Sequence, residues 1–337
     1  MSDGGDGFGE LISQLMGAIP QSAKTVDAAH RPCEALWWWQ PKTKTAIVES
    51  ARVIGLAQLP PGKYHPFELD SEGLGNLLRM IDDKGATRCL IGIGGSATND
   101  GGFGMARALG WQFFDTHAEK IERWTELHAL AEIRPPDKTD MFEELIVAVD
   151  VQNPLLGPEG CTRIYGPQKG IKPPDFDFAE RSLQQLADIF RKELHRDCAN
   201  DPGAGAAGGL GFGLRCFVGG RLEPGFALFS EQAKLAELIN SADLVITGEG
   251  SLDNSSVMGK GVGELANLCK HFNVPCIALA GVVPYPEEVA RFFIETHAIT
   301  PAFTNSENGM ADPAHWLEKL AAKVARSAAL PHKSSPG

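Results

Sequence analysis

Residues 88–110 read RCLIGIGGSATNDGGFGMARALG. The apolar run CLI leads into a loop carrying five glycines between Gly92 and Gly102, and a helical pattern follows that closes at Gly110. Strand, glycine loop, helix is the repeating unit of a parallel α/β sheet, whose ligands bind outside the carboxyl ends of the strands. Glycines let backbone N–H groups approach an anion, and a helix N-terminus aims its dipole at the same place. The loop also holds Ser96, Thr98, Asn99 and one acid, Asp100. A bare pyrophosphate site needs only donors, so the acid asks for another explanation.

The same order recurs on both sides of this stretch. KTVDAA, EALWWWQ and TAIVESA read as three strands separated by HRPC and PKTK, and Trp37 to Trp39 fit a partly covered hairpin strand better than a ligand platform. In SEGLGNLLRMIDDKG, Leu74, Leu77, Leu78 and Ile81 have helical spacing, with Asp70 or Ser71 as N-cap and Gly85 as C-cap. LIVAVDV (145–151) reads as a buried strand, and 178–194 as a helix with Leu183, Leu186, Phe190 and Leu194 on one face. DPGAGAAGGLGFGLRCF is a second glycine-rich entry to a helix, and DLVITGEG is read as another buried strand with a polar exit. GKGVGELANLCKHF reads as a helix, CIALAGV and AITPAF as closing strands, and PHKSSPG as a disordered tail. The fold class expected is α/β, with largely parallel sheets and helices on both faces.

With 337 residues the chain is long enough for two domains. Its 31 basic and 43 acidic residues give a net charge of −12, which argues against a nucleic-acid or anionic-membrane partner. Seven dispersed cysteines without a C-x-x-C pair read as reduced thiols of a cytoplasmic protein. Nine histidines without H-x-x-x-H spacing argue against zinc. No run approaches the ~20 apolar residues of a membrane span, and no signal peptide opens the chain.

Acids, amides and hydroxyls gather where the strands end: Ser96, Thr98, Asn99 and Asp100; then Asp150, Gln152 and Asn153; then Thr247, Glu249, Ser251, Asp253 and Asn254. That composition suits Mg2+ with a phosphate and a hydroxyl nucleophile, because phosphoryl transfer needs positioning, charge neutralisation and one carboxylate near the hydroxyl. Lys169 and Lys260 offer positive charge. Each has a plainer reading: GAGAAGG as a close helix crossing, Asp150 as a turn cap, Lys169 as a solvated side chain. No G-x-x-x-x-G-K-[ST] segment occurs. GIGGSA does fit G-x-G-x-x-A, and Asp115 lies about twenty residues on, which keeps an NAD-dependent oxidoreductase of a small hydroxy acid as the rival reading.

Taken together, SDGGDG, GIGGSATNDGG, DVQNPLLGPEG, YGPQKG, PGAGAAGGLG and DLVITGEGSLD resemble the type-1 glycerate kinases, in the family's order. The resemblance implies ATP-dependent phosphorylation of a hydroxyl of D-glycerate, with 2-phosphoglycerate favoured. It also implies a flavodoxin-like α/β domain, 45–255, inserted into an outer one made of 1–44 and 256–328, with 329–337 as tail and the active site in the cleft. ATP and Mg2+ are the implied cofactors, with glycerate as the small-molecule partner and a homodimer compatible with the reading.

By the same resemblance Asp3, Gly4 and Gly5 of the opening loop hold the substrate's phosphate region. Gly94, Gly95, Ser96, Thr98, Asn99, Gly205, Gly208, Gly209 and Lys260 cradle substrate or phosphate, and Asp100 and Glu249 bind the metal. Asp150, Asp253 and Lys169 are the catalytic set, with Asp150 the first choice of base and Asp253 the second. Two departures stand out. ELDSEGLG replaces a glycine segment that bears tyrosine and threonine in the family. Family members also open with a strand–helix–strand of roughly 30 residues before SDGG. The chain as written, starting at Met1, is therefore expected to be poorly stable and inactive, leaving an anion-binding relative as a third reading.

Overall fold

A computed structural model describes Gly5, residues 7–253, Ser256 and residues 261–327. Two compact units divide it, one ending at Leu228 and the other beginning at Phe229. The first holds β1 (Ile19–Val26), β2 (Pro32–Gln40), β3 (Thr45–Glu49), β4 (Arg88–Gly92), β5 (Gln112–Asp115), β6 (Leu130–Arg134), β7 (Glu144–Val149) and β8 (Arg221–Pro224). Six of these form one sheet in the order β1-β2-β3-β4-β7-β8. The β1–β2 and β2–β3 pairs are antiparallel, and β3, β4, β7 and β8 run parallel.

This topology draws the domain division elsewhere than expected. β2 is hydrogen-bonded to β3 through Trp38↔Ile47 and Trp39↔Ala46, so the N-terminal hairpin, expected in the outer domain, extends the sheet of the next segment. The boundary falls after Leu228, not after 255. Backbone pairing is the stronger constraint here, because an unpaired edge of β3 would leave its buried N–H and C=O groups unsatisfied.

The central strands are apolar because both faces are covered. All five residues of β3 are buried, and in β7 only Glu144 is not. Trp37 and Trp38 are 4% and 5% exposed, as a covered strand requires. A Cβ on Gly9 would meet the Trp38 ring at 2.2 Å, so the helix Phe8–Met16 approaches β2 through a residue without a side chain. Leu74, Leu77, Leu78 and Ile81 are all buried on the helix Glu72–Asp83. The helix expected over 178–194 begins at Phe176.

The β5–β6 hairpin was not expected. Its strands of four and five residues are too short for a clear alternation, and they are held by aromatic packing: Phe113 lies 4.7 Å from Phe103 and 5.9 Å from Phe217, centroid to centroid.

In the second unit β9 (Val245–Ser251), β10 (Cys276–Val282) and β11 (Glu295–Thr300) form a parallel sheet in the order β11-β10-β9. Ile277, Leu279, Ile299, Leu320 and Val324 make its core. DLVITGEG is not the buried strand expected. Among the described residues β9 pairs only with β10, and Ile246 is 58% exposed. Among these residues, no helix is long and apolar enough to cross a membrane.

Candidate active site

Because β4 and β7 are parallel neighbours (Gly92↔Ala148), the loops after them emerge side by side. There a pocket of about 380 Å³ lies between Gly94, Gly95 and Ser96 of the first loop and Asp150 of the second. The helix Cys161–Lys169 supplies Tyr165, Gln168 and Lys169 to its wall, and Gly5 also borders it. Asp150 stands at the exit of buried β7, exposed, and its Oδ1 accepts a hydrogen bond from the Gly225 N–H at 3.2 Å. Tyr165 and Gln168 were not among the expected site residues. The signal was present, since 165, 168 and 169 share one helical face at i, i+3, i+4 spacing. Tyr165 donates to Asn153 Oδ1 at 2.6 Å, which ties that helix to the Asp150 loop.

Asp100, expected as a metal ligand, answers the question posed by its loop with hydrogen bonds inside the protein. It is fully buried, and four protein donors occupy its carboxylate. Oδ2 accepts from the Ser71 N–H (2.9 Å), the Ser71 hydroxyl (2.7 Å) and the Gly104 N–H (2.9 Å), while Oδ1 accepts from the Gly102 N–H (3.2 Å). It thus caps the helix Phe103–Ala108 and fastens it to the start of the helix Glu72–Asp83. Burial pushes its pKa up and neighbouring Asp70 adds to this, while the Ser71 and Gly104 hydrogen bonds pull it back. Three of these four donors fall on Oδ2.

Asp70 in turn meets His30 (Nε2–Oδ2, 3.1 Å), and Glu72 faces the other ring nitrogen at 3.6 Å. The three ligand-type groups lie within 4.8 Å of one another, and the imidazole's pKa is raised, first by the hydrogen bond to Asp70.

The second glycine segment locks onto the first. Ala207, Gly208 and Gly209 have φ of 55°, 70° and 85°, so a left-handed turn enters the helix Ala206–Val218. Gly208 C=O accepts from the Gly101 N–H at 3.1 Å. A Cβ on Gly208 would sit 1.9 Å from Thr98 O, one on Gly209 2.7 Å from Leu155, and one on Gly205 2.1 Å from Pro154 O. These three glycines, expected to cradle substrate or phosphate, are close-approach positions against Thr98, Leu155 and Pro154.

Of the first loop, Gly94, Gly95 and Ser96 border the pocket, whereas Thr98 and Asn99 are fully buried. Thr98 Oγ1 pairs with Ser96 Oγ at 3.0 Å, and Asn99 donates to Thr162 Oγ1 at 3.0 Å.

Lys169 is the buried cation of this arrangement, 7% exposed, its Nζ donating to Thr98 O at 2.6 Å. Desolvation lowers its pKa to about 8, against the pull of Cys161 and Asp100. The plain reading of a solvated lysine is excluded.

In the second unit Glu249 sits on β9 opposite Ala280, its Oε1 buried without a hydrogen-bond partner among the described residues. Asp253 follows β9, and its Oδ1 accepts from the Ser256 N–H at 3.3 Å. Asp3, Gly4 and Lys260 lie outside the described residues. Asp115, the acid of the dinucleotide reading, accepts from the N–H groups of His117 (2.8 Å) and Glu119 (2.9 Å) and shapes the turn after β5.

Comparison with known proteins identifies the family. The model of the glycerate kinase family matches residues 1–329. The glycerate 2-kinase of Escherichia coli K12 is 37% identical over 284 residues, covering 83% of this chain and 74% of that protein. The glycerate kinase of Halalkalibacterium halodurans is 36% identical over 330 residues, covering 96% and 87%. A crystal structure of a candidate glycerate kinase 2 from Salmonella typhimurium LT2 superposes with a TM-score of 0.79 at 31% identity, over 97% of this chain and 88% of that one. The six motifs, the α/β architecture and these relatives agree: the chain belongs to the glycerate kinase family and is, with that family, an ATP-dependent kinase.

Proposed function

We propose that the protein transfers the γ-phosphoryl group of ATP to a hydroxyl of D-glycerate, the 2-hydroxyl being favoured, and that Asp150 and Lys169 serve this step. The observation that carries the reading is one pocket of about 380 Å³ bordered by an exposed carboxylate and a buried ammonium. That size is at the low end for ligand pockets and suits a three-carbon acid. Asp150 orients the attacking hydroxyl and takes its proton, while Lys169 and the backbone of Gly94 to Ser96 hold negative charge on the substrate. Asp253, which caps a turn, remains the second choice of base.

Glu249 fits a Mg2+ ligand, because its orphaned buried oxygen needs a positive partner. Asp100 does not fit. Magnesium, when bound, neutralises charge on the phosphoryl oxygens. The seven free thiols support placement in the cytoplasm.

The test is glycerate-dependent ADP release with and without excess chelator, with the product's phosphorylated carbon assigned by NMR. Release only with glycerate and a divalent metal is expected. Release independent of glycerate refutes the substrate, and undiminished turnover in chelator refutes the metal.

A pH profile checks Lys169 separately. Its proton leaves near pH 8, below the ordinary lysine range, so the charge is present below that point and lost above it. Turnover is expected to fall as pH rises through about 8, and a rate that stays flat to pH 10 would remove Lys169 from the chemistry.

A further inference from the structure

Glu49 closes β3 as a carboxylate only 4% exposed, at the carboxyl edge of the sheet. The candidate pocket occupies the same edge. Glu49 is the register partner of Gly92, where the first glycine loop departs, and the Ser50 N–H donates to Gly92 C=O at 2.9 Å. A buried carboxylate persists only where its oxygens are paired. Oε1 accepts from the Gly7 N–H at 2.8 Å, across 42 residues of chain, and Oε2 accepts from Arg52 Nε at 3.0 Å.

Gly7 is the N-cap of the helix Phe8–Met16, in the left-handed region with φ of +82°. Negative charge is favoured at a helix N-terminus, and a glycine has no side chain to provide it. Glu49 supplies that charge from β3. The helix is seated on the sheet by Phe8 and Ile12, both fully buried, and by Gly9, which closes on the Trp38 ring. The Arg52 guanidinium stands 5.3 Å from the centre of the same ring, so one cation holds both Trp38 and the Glu49 carboxylate.

From this anchor the hold extends to the pocket. The Phe8 N–H donates to Gly5 C=O at 3.1 Å, and Gly5 borders the pocket that Gly94, Gly95, Ser96 and Lys169 also line. Gly5 brings only backbone there, so its contribution depends on where that backbone is held. Glu49 does not border the pocket and acts through Gly7.

We propose that Glu49 is a positioning residue for the substrate: its carboxylate fixes the opening glycine segment at the pocket's edge, and the backbone at Gly5 becomes a preformed wall for the bound hydroxy acid. Fixing that wall in advance spares the substrate the cost of ordering it. The proposal rests on the reading of this pocket as the glycerate site.

The full chain is compared with Glu49→Ala and Glu49→Gln in glycerate-dependent ADP release with ATP and Mg2+. Alanine removes both acceptors, and the KM for glycerate is expected to rise about tenfold or more, the scale of one lost charge-assisted hydrogen bond, with kcat changed by less than about threefold. Glutamine keeps an oxygen for the Gly7 N–H and is expected to return KM to within about threefold of the wild-type value. A lowered melting temperature with KM unchanged in the alanine variant would overturn the proposal.

Where alanine unfolds the protein, hydrogen exchange on the unaltered chain decides. Residues 5–11 are expected to exchange slowly, and more slowly still in saturating D-glycerate. Exchange there at the rate of an open chain, or unaffected by glycerate in a protein that turns glycerate over, overturns the proposal. Slow exchange in a protein that releases no ADP with glycerate refutes the substrate reading and the positioning role with it, leaving the tether alone.

Discussion

Asp150→Asn is expected to leave the fold intact and reduce turnover about a hundredfold or more, the size of a lost general-base contribution. The side chain sits at the exit of a strand whose other residues are nearly all buried, and it borders the pocket. Asparagine keeps an oxygen for the Gly225 N–H and keeps the shape, so it removes the charge and the basicity alone. Turnover is measured by glycerate-dependent ADP release, and the fold by circular dichroism and melting temperature. Near-wild-type turnover in a folded variant would reduce Asp150 to a cap of its own turn. A tenfold rise in the substrate's KM at unchanged kcat would reassign it to binding.

Gly208→Ala is expected to be the most damaging single-methyl change in the first unit. The new Cβ would lie 1.9 Å from Thr98 O and 2.8 Å from Lys169 Nζ, and φ is +70°. Left-handed backbone costs a non-glycine residue about 1–2 kcal/mol, and overpacking adds about 1–3 kcal/mol. The sum is roughly 2–5 kcal/mol, against the 5–15 kcal/mol that hold a domain. In a unit of this size that corresponds to a fall in melting temperature of roughly 4–20 °C.

The same carbonyl accepts from Lys169, so any relief of the clash moves the pocket's cation and lowers turnover too. Gly250→Ala is the control, since a Cβ there meets nothing within 4 Å and its φ is not in the left-handed region. Equal melting of the two variants would show that the crossing of the glycine segments is looser than these distances say.

Much of the fold is legible in the chain. β2 through β4 and the helix Glu72–Asp83 follow from alternation, β-branched runs and the spacing of Leu74, Leu77, Leu78 and Ile81. Such patterns report which face of one element is buried. They do not report which elements share a sheet, such as the pairing of β2 with β3. DLVITGEG shows the same limit: an apolar composition fits an interior strand, yet its place at the end of the order β11-β10-β9 leaves Ile246 exposed.

The candidate site divides along the same line. Residue type and order were enough to name Asp150, Gly94, Gly95 and Ser96 at strand ends, and six motifs in register were enough to name the family. Sequence alone therefore determined the α/β class, the alternation of strand and helix, and the phosphoryl-transfer chemistry the residues suit. Only the tertiary structure decided that Asp100 is consumed by Ser71, Gly102 and Gly104, that Gly205, Gly208 and Gly209 serve a crossing, and that Lys169 is buried under Thr98. The physical reason is one of partners. A sequence sets out donors, acceptors and bare backbone in order, but whether a carboxylate or a peptide faces a ligand or another part of the chain depends on packing to within an ångström or two. That packing joins residues such as Ser71 and Asp100, or Thr98 and Lys169, which are far apart along the chain.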